Sequence, residues 1–269
     1  MKLNITDAQK LLASRIEDLL RKADRGELVC GNFLTPSEAA FASVYMKELG
    51  ASNRFFLFGG YNEAERKRIF VLPSFLSDID GDAEEKTRAY FPNEMSGLIR
   101  AVRIQGSGYR ALSHRDYLGS LLALGIERSS LGDIAILSDY SAVLFCTDKI
   151  FDFLLASIDR VASDKVTASE YESISELEVR REYLPISDTV ASNRLDCIVG
   201  ALTNLSREKA QIAIKSGLCE VNYLPEDRCD LALSIPSTVS VRGYGKYDVL
   251  SFDGETKRGR LRMVARKYV

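Results

Sequence analysis

The chain has a single histidine, His114, and none of its five cysteines, Cys30, Cys146, Cys197, Cys219 and Cys229, form a C-x-x-C pair. One imidazole excludes multi-histidine metal centres and leaves any Ser-His or Cys-His hydrolase dependent on that residue. Dispersed thiols fit neither a disulfide framework nor a thiolate zinc site, and a reducing cytoplasm is the simplest location for them. No run approaches the roughly 18 apolar residues of a membrane span, and the N-terminus lacks an apolar core of signal-peptide length. No membrane insertion is therefore expected. The glycine turns at Gly106-Ser107-Gly108 and Gly243-Tyr244-Gly245 complete neither G-x-G-x-x-G nor a phosphate loop, so no cofactor is implied.

With 269 residues and 46% hydrophobic content, the chain can bury an ample core in two or three domains. Its charge is unevenly divided. Residues 194–269 hold 13 Lys+Arg against 9 Asp+Glu, whereas residues 1–193 hold 23 against 29. The sharpest concentration is at 239–269, where Arg242, Lys246, Lys257, Arg258, Arg260, Arg262, Arg266 and Lys267 face only Asp248, Asp253 and Glu255. A local basic patch is the footprint of nucleic-acid binding even when the whole-chain pI is near 5.7. The bland reading is a set of edge-strand charges that block aggregation.

Local signals give an element order. Thr6-Asp7-Ala8-Gln9 is a capping box opening an amphipathic helix to about Ala23, and Thr35-Pro36-Ser37-Glu38 opens another. Residues 54–58 read as a buried strand before Gly59-Gly60, followed by a short polar helix near 63–68 and a strand at 69–72. A polar gap at 77–86 would separate this part from the next. There the pattern is a strand at 97–105, a helix at 113–124 stopped by Gly125, strands at 134–137 and 142–146, and a helix at 148–161. Residues 169–187 read as a connecting segment. The expected class is α+β and multi-domain: an N-terminal helical and α/β domain (1–80), an RNA-recognition-like α/β sandwich (81–168), the connector, and a basic C-terminal domain (188–269).

In that last domain, Ser206 is a good N-cap for a helix over 207–216, and Gly217 supplies a left-handed exit. Ala210, Ile214 and either Ile212 or Ala213 would form its buried side, leaving Arg207, Lys209, Gln211 and Lys215 more exposed. Phosphates favour such a side because each one neutralised releases counterions, and the helix N-terminus adds backbone donors.

The order Asn193-Arg194-Leu195-Asp196, then 204–210, then 214–222, resembles the alpha-L RNA-binding motif, a module shared by a small-subunit ribosomal protein, tyrosyl-tRNA synthetases and several pseudouridine synthases. The resemblance implies RNA-facing or face-forming roles for Arg194, Ser206, Arg207, Lys209, Lys215, Asn222 and Arg242. Lys246, Lys257, Arg258 and Arg260 extend that set, on a scaffold of Asp196, Ala210, Gly217, Val221 and Gly243. The chain departs from the motif in having Ile235-Pro236-Ser237-Thr238 where Gly-Asp is usual. Further upstream, Phe58-Gly59-Gly60-Tyr61 with Glu65-Arg66, and His114-Arg115-Asp116-Tyr117 through Leu131-Gly132-Asp133-Ile134, resemble the YlmH family. That resemblance covers nearly the whole chain. It implies a non-enzymatic cytoplasmic protein that binds structured ribosomal RNA or tRNA at the large ribosomal subunit, linked to rescue of stalled translation and to cell division.

Two other classes compete with that reading. Arg194-Leu195-Asp196 resembles the catalytic tripeptide of pseudouridine synthases, but a three-residue match has a high false-positive rate, and Asp196 is expected to anchor a basic neighbour. A protein-binding cell-division adaptor is the third reading. His114 lacks a recognisable nucleophile partner. Glu63, Glu65, Arg66 and Arg68 could form a polar surface for ribosomal RNA or protein, or solvated ion pairs on a short exposed helix, and Tyr61 and Tyr109, each beside glycine, could stack on unpaired bases or pack as half-buried rings.

Overall fold

The computed structural model describes residues 6–92, 97–172, 174, 177, 179 and 182–269. Contacts divide the chain into two compact units, Met1–Val179 and Arg180–Val269. The first begins with α1 (Asp7–Ala23), β1 (Val29–Leu34) and α2 (Pro36–Glu48), and both helices carry the expected capping boxes at Thr6 and Thr35. Next come β2 (Phe55–Phe58) and β3 (Lys67–Val71), which complete a three-stranded antiparallel sheet in the order β1-β3-β2.

A βαββαβ arrangement follows: β4 (Ile99–Gly106), α4 (His114–Ala123), β5 (Leu131–Ser138), β6 (Ser141–Thr147), α5 (Asp148–Ser157), and the hairpin β7 (Arg160–Val161) and β8 (Asp164–Glu170). Before it lies α3 (Ala83–Tyr90). The strand order β5-β6-β4-β8-β7 places β4 and β6 at the centre, the split pattern of RNA-recognition-like sandwiches. Strand alternation gives the sheet two buried faces. Val102, Ile104, Leu144 and Cys146 pack with Tyr117, Leu121, Phe151 and Leu154 of α4 and α5. Ala101, Val143 and Phe145 instead join Phe33, Phe56, Phe70 and Leu72 of the first sheet region in a separate cluster.

Several local expectations are corrected. Residues 63–68 are not a helix: the Asp133 carboxylate accepts from the Glu65 and Arg66 amides at 2.7 and 3.0 Å, and the chain enters β3 at Lys67. Arg66 and Arg68 are buried rather than solvated. Arg66 donates to the carbonyls of Leu131, Phe33 and Arg128, and Arg68 to those of Gly31 and Leu98. The polar gap at 77–86 contains the capped start of α3, and the buried Lys86 ammonium donates to the Leu76 carbonyl at 3.0 Å. The helix expected to reach Val161 stops at Ser157, because Arg160–Val161 pairs with β8.

Two of the segments carrying the YlmH resemblance, Gly59-Gly60-Tyr61 with Glu65-Arg66 and Gly132-Asp133, meet at one place. Tyr61 stacks on Phe145 with ring centroids 5.0 Å apart and donates to Asp133 at 2.8 Å, so its ring is a packing element. A Cβ on Gly60 would lie 2.5 Å from the Phe145 ring at a φ of +104°, and one on Gly132 would lie 2.7 Å from Phe33. Both positions require glycine for close approach.

The second unit is a six-stranded antiparallel sheet covered by α6 (Leu195–Thr203) and α7 (Arg207–Lys215). Its strands are β9 (Tyr183–Val190), β10 (Cys219–Val221), β11 (Leu224–Pro225), β12 (Ser237–Val241), β13 (Gly245–Glu255) and β14 (Leu261–Tyr268), in the order β11-β10-β12-β13-β14-β9. Thus Leu184-Pro185, expected in a connector, is part of an edge strand, where proline costs no ladder bond on its open side.

Replacing Asp133 with alanine would strand two backbone donors and the Tyr61 hydroxyl. Urea denaturation of Asp133→Ala should show a loss of about 3 kcal/mol; a change under about 0.5 kcal/mol would show that the carboxylate does not hold the segment.

Candidate nucleic-acid interface

Apolar positions in the two helices of the second unit fix how the cations are presented. Leu195, Ile198, Val199 and Leu202 of α6, with Ala210, Ala213 and Ile214 of α7, are buried, whereas Ile212 is 58% exposed. The open choice between Ile212 and Ala213 is resolved in favour of Ala213. Asn204 closes α6 at φ +57°, Ser206 caps α7 by accepting from the Lys209 amide at 3.3 Å, and Gly217 leaves α7 at φ +70°. These turns hold Arg194 and Arg207 near one point.

That point is Asp196, whose side chain is wholly buried. Arg194 donates to it through Nε and Nη2 at 3.1 and 3.2 Å, Arg207 through Nε at 3.1 Å, and Gln211 through its amide at 2.7 Å. Burial pushes the Asp196 carboxyl up, but the bonds from Arg194, Gln211 and Arg207 outweigh it and hold the group far below the usual carboxylate range. The arginines remain 39% and 61% exposed, so each is anchored at one edge and open to solvent at the other. Arg260 comes from the turn before β14 and is held on Thr189 of β9, with Nε donating to the hydroxyl at 3.0 Å. Asp196, Gly200, Leu205, Arg207 and Arg260 line one shallow groove of about 290 Å³.

Other predicted residues lie elsewhere. Arg242, Gly243 and Lys246 line a separate groove of about 560 Å³ with Gly217 and Tyr244. It lies past the C-terminal end of α7, ~15 Å from Arg207 at 1.5 Å per residue. The Lys246 ammonium rests over the Tyr268 and Tyr223 rings, 4.2 and 4.9 Å from their centroids. Lys257 and Arg258 are exposed in the turn between β13 and β14. Lys209 is exposed, but it is two residues from Arg207 and so about 200° away around the helix; Lys215 is in the last turn. The Asn222 amide is engaged within the module: it donates to the Ser237 hydroxyl and accepts from the Thr238 amide at 2.9 Å, at a left-handed φ of +49°. Val221 pairs with Leu224 and Val239 as scaffold.

Sequence reasoning missed the part played by Gln211, although its position four residues after Arg207 puts the two on one helical face. It also missed the network on the outer sheet face, where Asp248 accepts from Arg266 at 2.9 Å and Arg266 covers the Tyr183 ring at 3.8 Å. Alternation along β14 was the available signal. His114 opens α4 at an exposed position; desolvation, then the Arg128 charge, lowers its pKa. Among the described residues no cluster of His, Cys, Asp or Glu could hold a metal, and no described helix is long and apolar enough to cross a membrane.

Because the folded carboxyl of Asp196 titrates below its ordinary value of 3.8, its stabilisation is complete above that value and is lost as pH falls through the still lower folded pKa. Denaturation of Asp196→Asn and wild type should therefore differ by about 2 kcal/mol at neutral pH, and the gap should narrow as the medium is taken below pH 3.8. A gap constant with pH would contradict this assignment.

Comparison with known proteins adds an independent line of evidence. Residues 98–175 match a family model described as "Putative RNA-binding domain in YlmH". The chain is 26% identical over 234 residues to the Bacillus subtilis (strain 168) "Ribosome-associated protein quality control protein P2", covering 86% of this chain and 84% of that protein. A solved structure, "Cell division protein ylmH from Streptococcus pneumoniae", is similar at 13% identity and a TM-score of 0.48, covering 66% of this chain and 99% of that one. Residues 98–175 are thus similar to the RNA-binding domain described for YlmH, and most of the chain is similar to the Bacillus subtilis protein.

Proposed function

We propose that this chain is a cytoplasmic RNA-binding protein that acts at the ribosome without chemistry of its own. Its C-terminal unit, read as an alpha-L module, holds the backbone of structured ribosomal RNA or tRNA at the large subunit during rescue of stalled translation. The observation that carries this reading is the fixing of Arg194, at the start of α6, and Arg207, of α7, on the buried Asp196, with Arg207 and Arg260 lining one groove. An arginine already held through one edge loses less side-chain entropy when its other donors meet a phosphate. The name of the Bacillus subtilis relative and the description of the matched domain support the same class.

The pseudouridine-synthase reading asks Asp196 to act on a uridine. Its carboxylate is instead buried and held by three side chains, as a structural anchor is. We therefore assign it to positioning.

Cosedimentation with large ribosomal subunits tests the clamp. Arg207→Gln/Arg260→Gln, which leaves Asp196 paired with Arg194 and Gln211, should bind about tenfold more weakly at moderate salt while keeping the wild-type circular dichroism spectrum. Wild-type association by this variant would move the binding surface away from α6 and α7.

A further inference from the structure

The sheet of the middle domain has RNA-recognition topology, but the described part of its outer face offers no exposed ring: Arg103, Thr167 and Ser169 are exposed there and none is aromatic. In such folds aromatic side chains on the two central strands stack bases from that face. Here the corresponding face of β4 and β6 presents Ala101, Val143 and Phe145, at most 2% exposed and packed with Phe33, Phe56 and Phe70. Stacking on an aromatic of the two central strands is therefore not available from that face.

Among the described residues of 98–175 the most exposed aromatic, at 96% against 37% for Tyr140 and 47% for Phe153, is Tyr109, in the loop between β4 and α4. The loop carrying it is built rather than slack. The Gly106 amide donates to the Tyr140 carbonyl at 2.7 Å, and a Cβ on Gly106 would lie 2.9 Å from the Asp164 carboxylate. The Ser107 amide and hydroxyl both donate to Asp164, Gly108 turns the chain at φ +89°, and the Leu112 amide donates to the Asp139 carbonyl at 2.7 Å. Arg110 next to the ring is fixed on the Ser163 hydroxyl and 3.4 Å from Asp116, which brings the β7–β8 hairpin with its exposed Arg160 and Lys165 beside the loop. A fixed backbone lowers the ordering cost of a contact, and an exposed ring offers a face to any nucleobase.

We infer that Tyr109 is a base-stacking contact of the middle domain, taking an unpaired base of RNA at the end of the sheet instead of on its face. The inference rests on the reading of this protein as RNA-binding and adds a contact in the first unit. Exposed Asp139 and Asp159 offset the nearby cations, so ring stacking rather than phosphate neutralisation carries the contact. A search for basic patches would pass over it.

The chain contains no tryptophan, so Tyr109→Trp introduces a single reporter in the full-length protein. Titration with a short oligoadenylate should quench its emission saturably, in step with the anisotropy of a labelled copy of the same oligonucleotide. Tyr109→Phe should bind within about twofold of wild type, and Tyr109→Ala about tenfold more weakly. Unchanged indole emission from the Tyr109→Trp variant overturns the inference, whether or not the anisotropy rises; a rise alone would leave the C-terminal clamp standing. Quenching that persists in the Arg207→Gln/Arg260→Gln background would support the stacking contact even if that clamp fails.

Discussion

The cationic face of the C-terminal unit depends on one carboxylate removed from water. Burying Asp196 alone would cost several kcal/mol, and the site is tolerable only because donors from Arg194, Arg207 and Gln211 converge on it. The requirement runs in both directions. The carboxylate needs those donors, and they in turn need α6, α7 and the turn at Asn204 to keep their spacing. Stability and the presentation of positive charge thus share a single group, and Asp196 is the fixed point of that cationic face.

The first unit uses a partly buried carboxylate differently. Asp133 of β5 takes the amides of Glu65 and Arg66 and the hydroxyl of Tyr61, joining the three-stranded sheet to the RNA-recognition-like sheet. Phe145, stacked under Tyr61, belongs to the cluster that fills the outer face of that sheet. The same packing that joins the two parts therefore buries Ala101, Val143 and Phe145, the residues of the central strands on the face through which such a fold commonly stacks bases.

Signals local in sequence were the most legible. Capping signals at Thr6 and Thr35 located two helix starts, and Ser206 and Gly217 bounded α7, because each acts within a turn of its own position. Partners distant in sequence were not legible. Glu65 and Arg66 carry helix-compatible side chains, and only the fold brings Asp133 to their amides. Likewise, charge counting grouped Arg242, Lys246 and Arg260 as one basic run, whereas strand pairing and the β13–β14 turn distribute them between two grooves. Asn222 was expected to be RNA-facing or face-forming because of its place in a motif, and its left-handed backbone and its bonds to Ser237 and Thr238 show how it forms the turn there.

The salt dependence of binding to purified large ribosomal subunits, compared between wild type and Arg207→Gln, tests the central claim most directly. If Arg207 held on Asp196 neutralises a phosphate, the slope of log affinity against log salt becomes shallower by about one in the variant. A weaker affinity with an unchanged slope would contradict a phosphate contact and leave Arg207 as a partner of Asp196 alone.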